Sequence, residues 1–467
     1  MILLDLVYLL ALVLLSPWLL WRAARTGRYR RDLGAKLLGR VGAPNPRGKP
    51  AAWFHAVSVG EVNLLGTLVP AFRARHPDWL VVVSSTTDTG LAEARKRFAD
   101  LSVVAWPFDF SWAVGAALDA VRPSLLVLTE SELWPNALAA ARRRSIPVVV
   151  ANARLSPRSF RRLSRVAGLA RRLLFRHVTH FAVQEQEYAD RLAALGVPAD
   201  KLTVTGSVKY DGAKASPSEP LRTLLALSPP LRVSASLPLV LLAGSTHAPE
   251  ESIVLGVFSR LRASFPHLRL ILVPRHPDRF EEVAALVGAS GLPMVRRSRI
   301  VDPLPEMPAV VLLDSVGELG AAWGLADVGF TGGSLDGHRG GQSMIEPAGY
   351  GVPCVFGPHV WNFKDAARRL VEVGGAVMVP DAAGLERELA KLLADDATRE
   401  RMGAAARDLV RRQQGATRRT LDVLDAAAGF EAGLCEAGMP LTPGLTEASL
   451  KSLESQVDHI NVVARRA

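Results

Sequence analysis

The sequence predicts an α/β protein of two doubly wound, parallel-sheet domains facing each other across a cleft. Three observations predict it. Short Val-, Ile- and Leu-rich runs alternate with helix-like stretches such as "GLAEARKRFA" and "LWPNALAAARRRS". The runs are apolar almost throughout rather than at every second residue, as strands covered on both faces require. The alternation stops once, in a Pro- and Ser-rich segment, and then restarts.

Length and composition agree with this class. The 467 residues suit two or three domains. A hydrophobic content of 49% and a charged content of 22% are ordinary for chains with real cores. The net charge of +11 and a pI near 10.1 point to an anionic partner. The two cysteines, Cys354 and Cys435, form neither a metal-ligand spacing nor a disulfide framework, and Cys354 lies in an apolar run expected in a core. No D-x-D pair or His cluster announces a metal site.

The first element is "MILLDLVYLLALVLLSPWLLW", 21 residues in which Asp5 is the only charge. As a helix it would be roughly 30 Å long, the thickness of a bilayer core. Residues 1–22 are therefore expected to form an N-terminal membrane-anchor helix. Two readings compete: a helix lying in the membrane interface, because Pro17 and Asp5 interrupt a clean span, and a buried helix of a globular core. Arg22, Arg25, Arg28, Arg30, Arg31, Lys36 and Arg40 follow, no basic residue precedes, and no small-x-small cleavage pattern is present. That argues for an anchor over a cleaved signal, with the rest of the chain expected in the cytoplasm. Because the basic run is juxtamembrane and no aromatic-studded basic platform accompanies it, nucleic acid is not the expected partner.

Residues 23–212 make the first domain. Its expected strands are 52–58, 80–86, 102–106, 124–129, 147–151, 179–183 and 202–205. Residues 213–237, with clustered Pro and Ser, read as an interdomain connection holding one short helix. The second domain, 238–425, has expected strands at 239–243, 268–273, 310–313, 328–331, 354–356 and 377–379, with C-terminal helices over 383–425. Residues 426–467 form a tail with no assigned role.

In open α/β sheets ligands bind beyond the carboxyl ends of the strands, so the chemistry is sought there. Glu61 follows the first strand in "WFHAVSVGEVN". It either complements a helix macrodipole from the first turn or is delivered to the cleft. Glu130 and Glu132 follow the fourth strand, where buried acids are costly unless paired or put to use. The second domain offers "GFTGGSLDGHRGGQSMIEPAGYGVPCVFGP", with six glycines between Gly329 and Gly341. Such a loop lets backbone N–H groups approach an anion, helped by a helix expected from Ser343, with Glu346 one turn in to accept from ribose hydroxyls. It is neither a nicotinamide fingerprint nor a P-loop. Arg275 and His276 are set to meet a phosphate, Arg275 bidentately.

Eight segments in order, "HAVSVGE", "TESELWPN", "VANARLS", "VTGSVKYD", "GSTH", "PRHPDRF", "VGEL" and "EPAGYGVPCVFGPHVWNFKDA", resemble the 3-deoxy-D-manno-octulosonate (Kdo) transferase family over roughly residues 1–425. The resemblance implies a GT-B fold of two Rossmann-like domains. It implies transfer of Kdo from CMP-Kdo to a lipid A precursor with inversion and without a bound metal or other cofactor, at the anionic surface of the inner membrane, in lipopolysaccharide biosynthesis. It makes Glu61 the general base, with Glu130 and Lys209 assisting the transition state. It puts CMP contacts on Pro274 and Arg275, on Val316, Gly317 and Glu318, and on Ser343, Met344, Ile345 and Glu346. Three departures from the family pattern bear on those contacts: Gln342-Ser343 replaces His-Asn, Val316 replaces Met, and Ala248-Pro249 precede Glu250. The alternatives are a GT-B transferase with another nucleotide-sugar donor or glycolipid acceptor, and a non-catalytic membrane-tethered scaffold.

Overall fold

The computed structural model describes residues 2–26, 32–213, 218–227 and 238–429. Within them all thirteen expected runs are strands. The first sheet holds β1 (Ala51–Ala56), β2 (Leu80–Ser85), β3 (Ser102–Ala105), β4 (Leu125–Thr129), β5 (Val148–Ala153), β6 (His180–Val183) and β7 (Leu202–Val204). They pair in parallel in the order β3-β2-β1-β4-β5-β6-β7. The second sheet holds β8 (Val240–Thr246), β9 (Arg269–Pro274), β10 (Met294–Arg296), β11 (Val310–Leu312), β12 (Val328–Thr331), β13 (Cys354–Phe356) and β14 (Ala376–Met378). Its order is β10-β11-β9-β8-β12-β13-β14, again parallel. Strand β10 was not among the expected runs: it is a three-residue edge strand, half-buried throughout and ending in Arg296.

Apolar residues fill both faces of each sheet. Every residue of β1, β4 and β5 is buried. Trp53 packs on Trp106 with ring centroids 5.0 Å apart, and Phe54 on Phe72 at 5.3 Å. Each such side chain contributes about 1.5–3 kcal/mol on burial. In the second lobe Trp323 lies so close under β8 that a Cβ at Gly244 would come within 2.4 Å of its ring. Only glycine fits there. With both faces covered, polar groups are left to the strand ends. The strand order reverses between β1 and β4 in one sheet and between β8 and β12 in the other. Each reversal opens a crevice at the carboxyl edge.

The chain returns to the first lobe at its C-terminal side. After the helices Ala382–Ala394 and Asp396–Gln413, the helix Ala416–Ala428 packs back. Asp211 accepts the Gly415 N–H at 2.7 Å and the Thr417 N–H at 2.5 Å. Arg75 pairs with Asp422 at 2.8 Å and Asp425 at 2.7 Å, and Arg419 donates to the Thr205 carbonyl at 2.8 Å. Between the lobes Tyr188 donates to Asp365 at 3.0 Å, and Arg369 pairs with Glu185.

The anchor expected over residues 1–22 is not confirmed. Counted over the described residues, no helix is long and apolar enough to cross a membrane. A helix does run over Ile2–Thr26, with Pro17 inside it. Its first turns are tied to the lobe. Asp5 accepts the Ser111 N–H at 2.9 Å, the Ser111 hydroxyl at 2.5 Å and the Asn136 amide at 3.0 Å, and Tyr8 donates to Asp109 at 3.2 Å. Of the basic run, Arg28, Arg30 and Arg31 lie outside the described residues. In the connection 213–237 the short helix is Glu219–Leu224, while 214–217 and 228–237 lie outside. So do residues 430–467 of the tail.

Asp211 caps the returning helix, so Asp211→Ala is expected to cost about 0.5–2 kcal/mol of stability. Urea unfolding checks it; an unchanged midpoint would mean that these two bonds do not hold the helix.

Candidate active site

The first-lobe crevice gathers three carboxylates and two cations. Ser58 caps the helix Val59–Arg75, and Glu61 lies in its first turn. The Glu61 carboxylate accepts the Val57 N–H at 2.9 Å, the Ser58 hydroxyl at 3.0 Å and the Thr129 hydroxyl at 2.7 Å. This is an S-x-x-E capping arrangement extended across the crevice to the end of β4. Glu61 supports its helix start, is 8% exposed, and sits where the strand order reverses between β1 and β4. The next residue after Thr129 is Glu130, with φ 56°, a left-handed conformation uncommon for a non-glycine residue. Its carboxylate binds Lys209 at 3.0 Å and Arg154 at 2.6 Å. The Ser131 hydroxyl donates to the Arg154 carbonyl.

Glu132 completes the group. Burial, then the charges of Glu61 and Glu130, push its carboxyl up to about 7. His55 lies beneath, stacked on Trp106 at 4.0 Å. Burial pushes its imidazole down to about 3, which keeps it neutral and structural.

In the second lobe the glycine loop is organised differently from expectation. Its N–H groups do not wait for an external anion. The buried Glu250 carboxylate accepts from Gly333 N at 2.6 Å, Ser334 N at 2.9 Å, Leu335 N at 3.0 Å and His247 N at 3.1 Å. Burial pushes this carboxyl up, and the four amides oppose the shift. The glycines serve close packing: a Cβ at Gly340, φ 83°, would lie 2.3 Å from the Trp361 indole nitrogen.

The groups left for a ligand surround this loop. Arg275 is exposed at the end of β9, and its charge opposes the upward shift that burial imposes on Glu346. His247 lies 5.2 Å from His276, ring to ring. Burial, then Arg339 and His276, push His247 down to about 4, so it is neutral and accepts from the Gln342 amide at 3.2 Å. The helix expected from Ser343 runs only over Ile345–Tyr350, without a side-chain cap, so Ser343 does not cap it. Met344 and Ile345 are core residues that can offer a ligand backbone only. Glu318 is held by Arg297 at 2.8 Å, Val316 is exposed, and Pro274 is buried at the end of β9.

The structure thus gathers Glu61, Glu130 and Lys209 in one crevice, and Arg275 with Glu346 in the other. A narrow gap of about 30 Å³ between the lobes is lined by Arg154 and Lys209 on one side and Ile345 and Asn362 on the other. Sequence reasoning missed Arg154 and Glu250 as site-forming groups. It also missed the stretch 157–176, where Arg158, Arg161, Arg162, Arg165, Arg171, Arg172 and Arg176 occur without any acid. Among the described residues none of the seven forms an ion pair. The signal was present as an uninterrupted charge pattern on two short helices, Pro157–Ser164 and Ala167–Leu173.

Two outcomes follow from these geometries. Folded, Glu132 keeps its proton up to about 7; unfolded, it loses it near 4.5. Between those values the folded state binds more protons, so this group lowers stability as pH rises through that window. Glu132→Gln is expected to raise the unfolding temperature more at pH 8 than at pH 5; equal shifts would remove the buried-charge assignment. Glu250→Gln turns an amide –NH₂ towards donors and is expected to cost about 1–3 kcal/mol, read by urea unfolding.

A sequence profile of the 3-deoxy-D-manno-octulosonic-acid transferase (kdotransferase) family matches residues 25–212. The 3-deoxy-D-manno-octulosonic acid transferase of Haemophilus influenzae is 35% identical over 412 residues, 86% of this chain and 92% of that protein. That of Bordetella pertussis is 37% identical over 434 residues, 90% of this chain and 98% of its own. Among solved structures a UDP-N-acetylglucosamine 2-epimerase superposes with a TM-score of 0.52 at 13% identity, covering 85% of this chain and 99% of its own, a likeness of fold alone. On the full-length sequence matches, the chain belongs to the 3-deoxy-D-manno-octulosonic acid (Kdo) transferase family.

Proposed function

We propose that the chain transfers Kdo from CMP-Kdo to a lipid A precursor, with inversion at the anomeric carbon and without a bound catalytic metal or other cofactor. Family membership over nearly the whole chain carries the proposal. A sugar hydroxyl is a poor nucleophile at neutral pH, and a positioned carboxylate that takes its proton is worth on the order of 10²–10⁴ in rate. Glu61 is the proposed base. The three donors that hold it fix its orientation, and two of them, Ser58 and Thr129, are hydroxyls able to rotate away when an acceptor hydroxyl arrives. Lys209, held by Glu130, is proposed to offset negative charge on the donor sugar or on the leaving phosphate. Arg275 supplies a fixed positive charge to the departing CMP, and Glu346 accepts from its ribose.

One observation favours a second reading of the proton's path. A base is most effective when its pKa lies near the working pH. Glu132, at about 7 and within the field of Glu61, meets that condition.

The N-terminal helix is proposed to lie in the interface of the inner membrane on its cytoplasmic face rather than to span it. Its Asp5 side is bound to the lobe, while Leu10, Val13, Leu14, Trp18 and Trp21 are exposed. A spanning helix would carry the Asp5 contacts into hydrocarbon, where polar groups are costly. The basic excess suits an anionic leaflet.

Mass spectrometry of a lipid A precursor incubated with CMP-Kdo and the protein tests the activity, with mass gains expected in whole Kdo increments. Glu61→Gln is expected to lower kcat by at least 10²-fold with CMP binding retained. If Glu61→Gln instead keeps near-native turnover, and Glu132→Gln lowers kcat at least 10²-fold and flattens its pH dependence, the base is Glu132.

A further inference from the structure

Beside the Glu130–Arg154 pair the first lobe contains a cavity of about 290 Å³. Val150 and Phe181 of the sheet form its floor. Leu163 of the helix Pro157–Ser164, Phe175 and Leu192 form its walls. Arg154, Ser159 and Arg162 stand among its polar residues, and Glu130 is shared with the crevice already described. The pocket opens to solvent, and its apolar lining is surface that a ligand would remove from water.

The chemistry of the wall selects the occupant. Against Val150, Leu163, Phe175, Phe181 and Leu192 the hydroxyls of a sugar or nucleotide would find no partner, and the polar side chains Glu130, Arg154, Ser159 and Arg162 would serve only part of one. An alkyl chain needs no such partners. Scaled from the ~150 Å³ apolar cavity that holds benzene, the space suits a chain of roughly ten carbons. The surroundings select an anionic amphiphile. The cavity wall includes part of the acid-free stretch 157–176 with its seven exposed arginines, which complements phosphate, and Val166 and Leu169 are exposed on the same stretch.

We propose that this cavity seats one acyl chain of the phosphorylated lipid acceptor, so that the lipid's own tail registers the sugar hydroxyl at the Glu61–Glu130 crevice. The proposal rests on the acceptor being a lipid A precursor. It makes Leu163, Phe175 and Phe181 specificity-determining residues for chain length.

The test has two independent arms. In the first, transfer from CMP-Kdo is measured with lipid A precursors of progressively shorter acyl chains and with the deacylated backbone. For the wild-type chain kcat/KM is expected to fall about fourfold per methylene removed until the cavity is empty. Leu163→Trp, which fills the cavity, is expected to lower the ratio of kcat/KM for long-chain over deacylated acceptor at least tenfold. Ser159→Trp, on an exposed helix position, is expected to act in the same direction by blocking the cavity beside Arg162. Urea midpoints report that both variants are folded. In the second arm a dansyl-labelled decanoate is titrated in detergent-free buffer, with saturable binding expected to the wild-type chain and at least tenfold weaker binding to Leu163→Trp. No chain-length dependence, or an unchanged ratio and unchanged probe binding in the folded variants, overturns the acyl site. If no acceptor is turned over but the probe binds and is lost in Leu163→Trp, the acyl site stands and the acceptor assignment falls.

Discussion

A buried carboxylate pins the crevice of each lobe, and the rest of the site depends on that. In a doubly wound sheet the strands on either side of the reversal send their chains away in opposite directions. The loops at that point have no neighbour to satisfy their polar groups. In the first lobe Glu61, from the helix after β1, reaches the Thr129 hydroxyl at the end of β4. In the second, Glu250, from the helix after β8, collects three loop amides that follow β12. The two lobes solve the same topological problem with the same residue type at the same place. The difference lies in the donors. Backbone amides cannot turn away, so Glu250 is committed to structure. Glu61 accepts from one such amide, the Val57 N–H, but its other two donors are hydroxyls, which can.

Pinning like charges together has an electrostatic consequence. Three carboxylates share the first crevice, but the cations Lys209 and Arg154 both go to Glu130. Glu61 is held by neutral donors. Among the described residues Glu132 forms no ion pair, and burial, then the charges of both neighbours, raise its affinity for a proton. Groups whose surroundings drive them apart in this way are where acid and base roles are found.

The fold was legible because its signal is local. Short apolar runs such as 124–129 and 147–151, alternating with helix-like stretches, read as strands covered on both faces. The missed strand, Met294–Arg296, is too short to carry such a pattern. The site was legible only in part, for a physical reason. Glu61 could be read because the capping box is confined to four residues. The glycine loop could not, because the carboxylate that fills it sits 83 positions earlier in the chain. A run of glycines states that a backbone is closely approached; it does not state by what. Ser343 and the core residues Met344 and Ile345 show the same limit. Their helix starts where packing of Met344 and Ile345 dictates, not where a capping residue type suggests.

The distribution of exposed apolar surface separates the roles of the lobes. In the second lobe the exposed large hydrophobics, among them Val301, Val316 and Met378, are scattered singly, as on any protein surface. In the first they are concentrated on the helix Ile2–Thr26 and joined by Val166 and Leu169 of the arginine-rich stretch. Residues of these two elements meet at one pocket, where Leu4 lies with Arg142, Arg143, Arg172 and Arg176. An apolar helix beside a cationic hollow favours a surface that is hydrocarbon inside and phosphate outside. If that surface carries the acceptor, the first lobe receives its sugar from the membrane side while the second lobe keeps the water-soluble donor. Under the proposed function, acceptor and donor then approach the gap between Lys209 and Ile345 from different lobes.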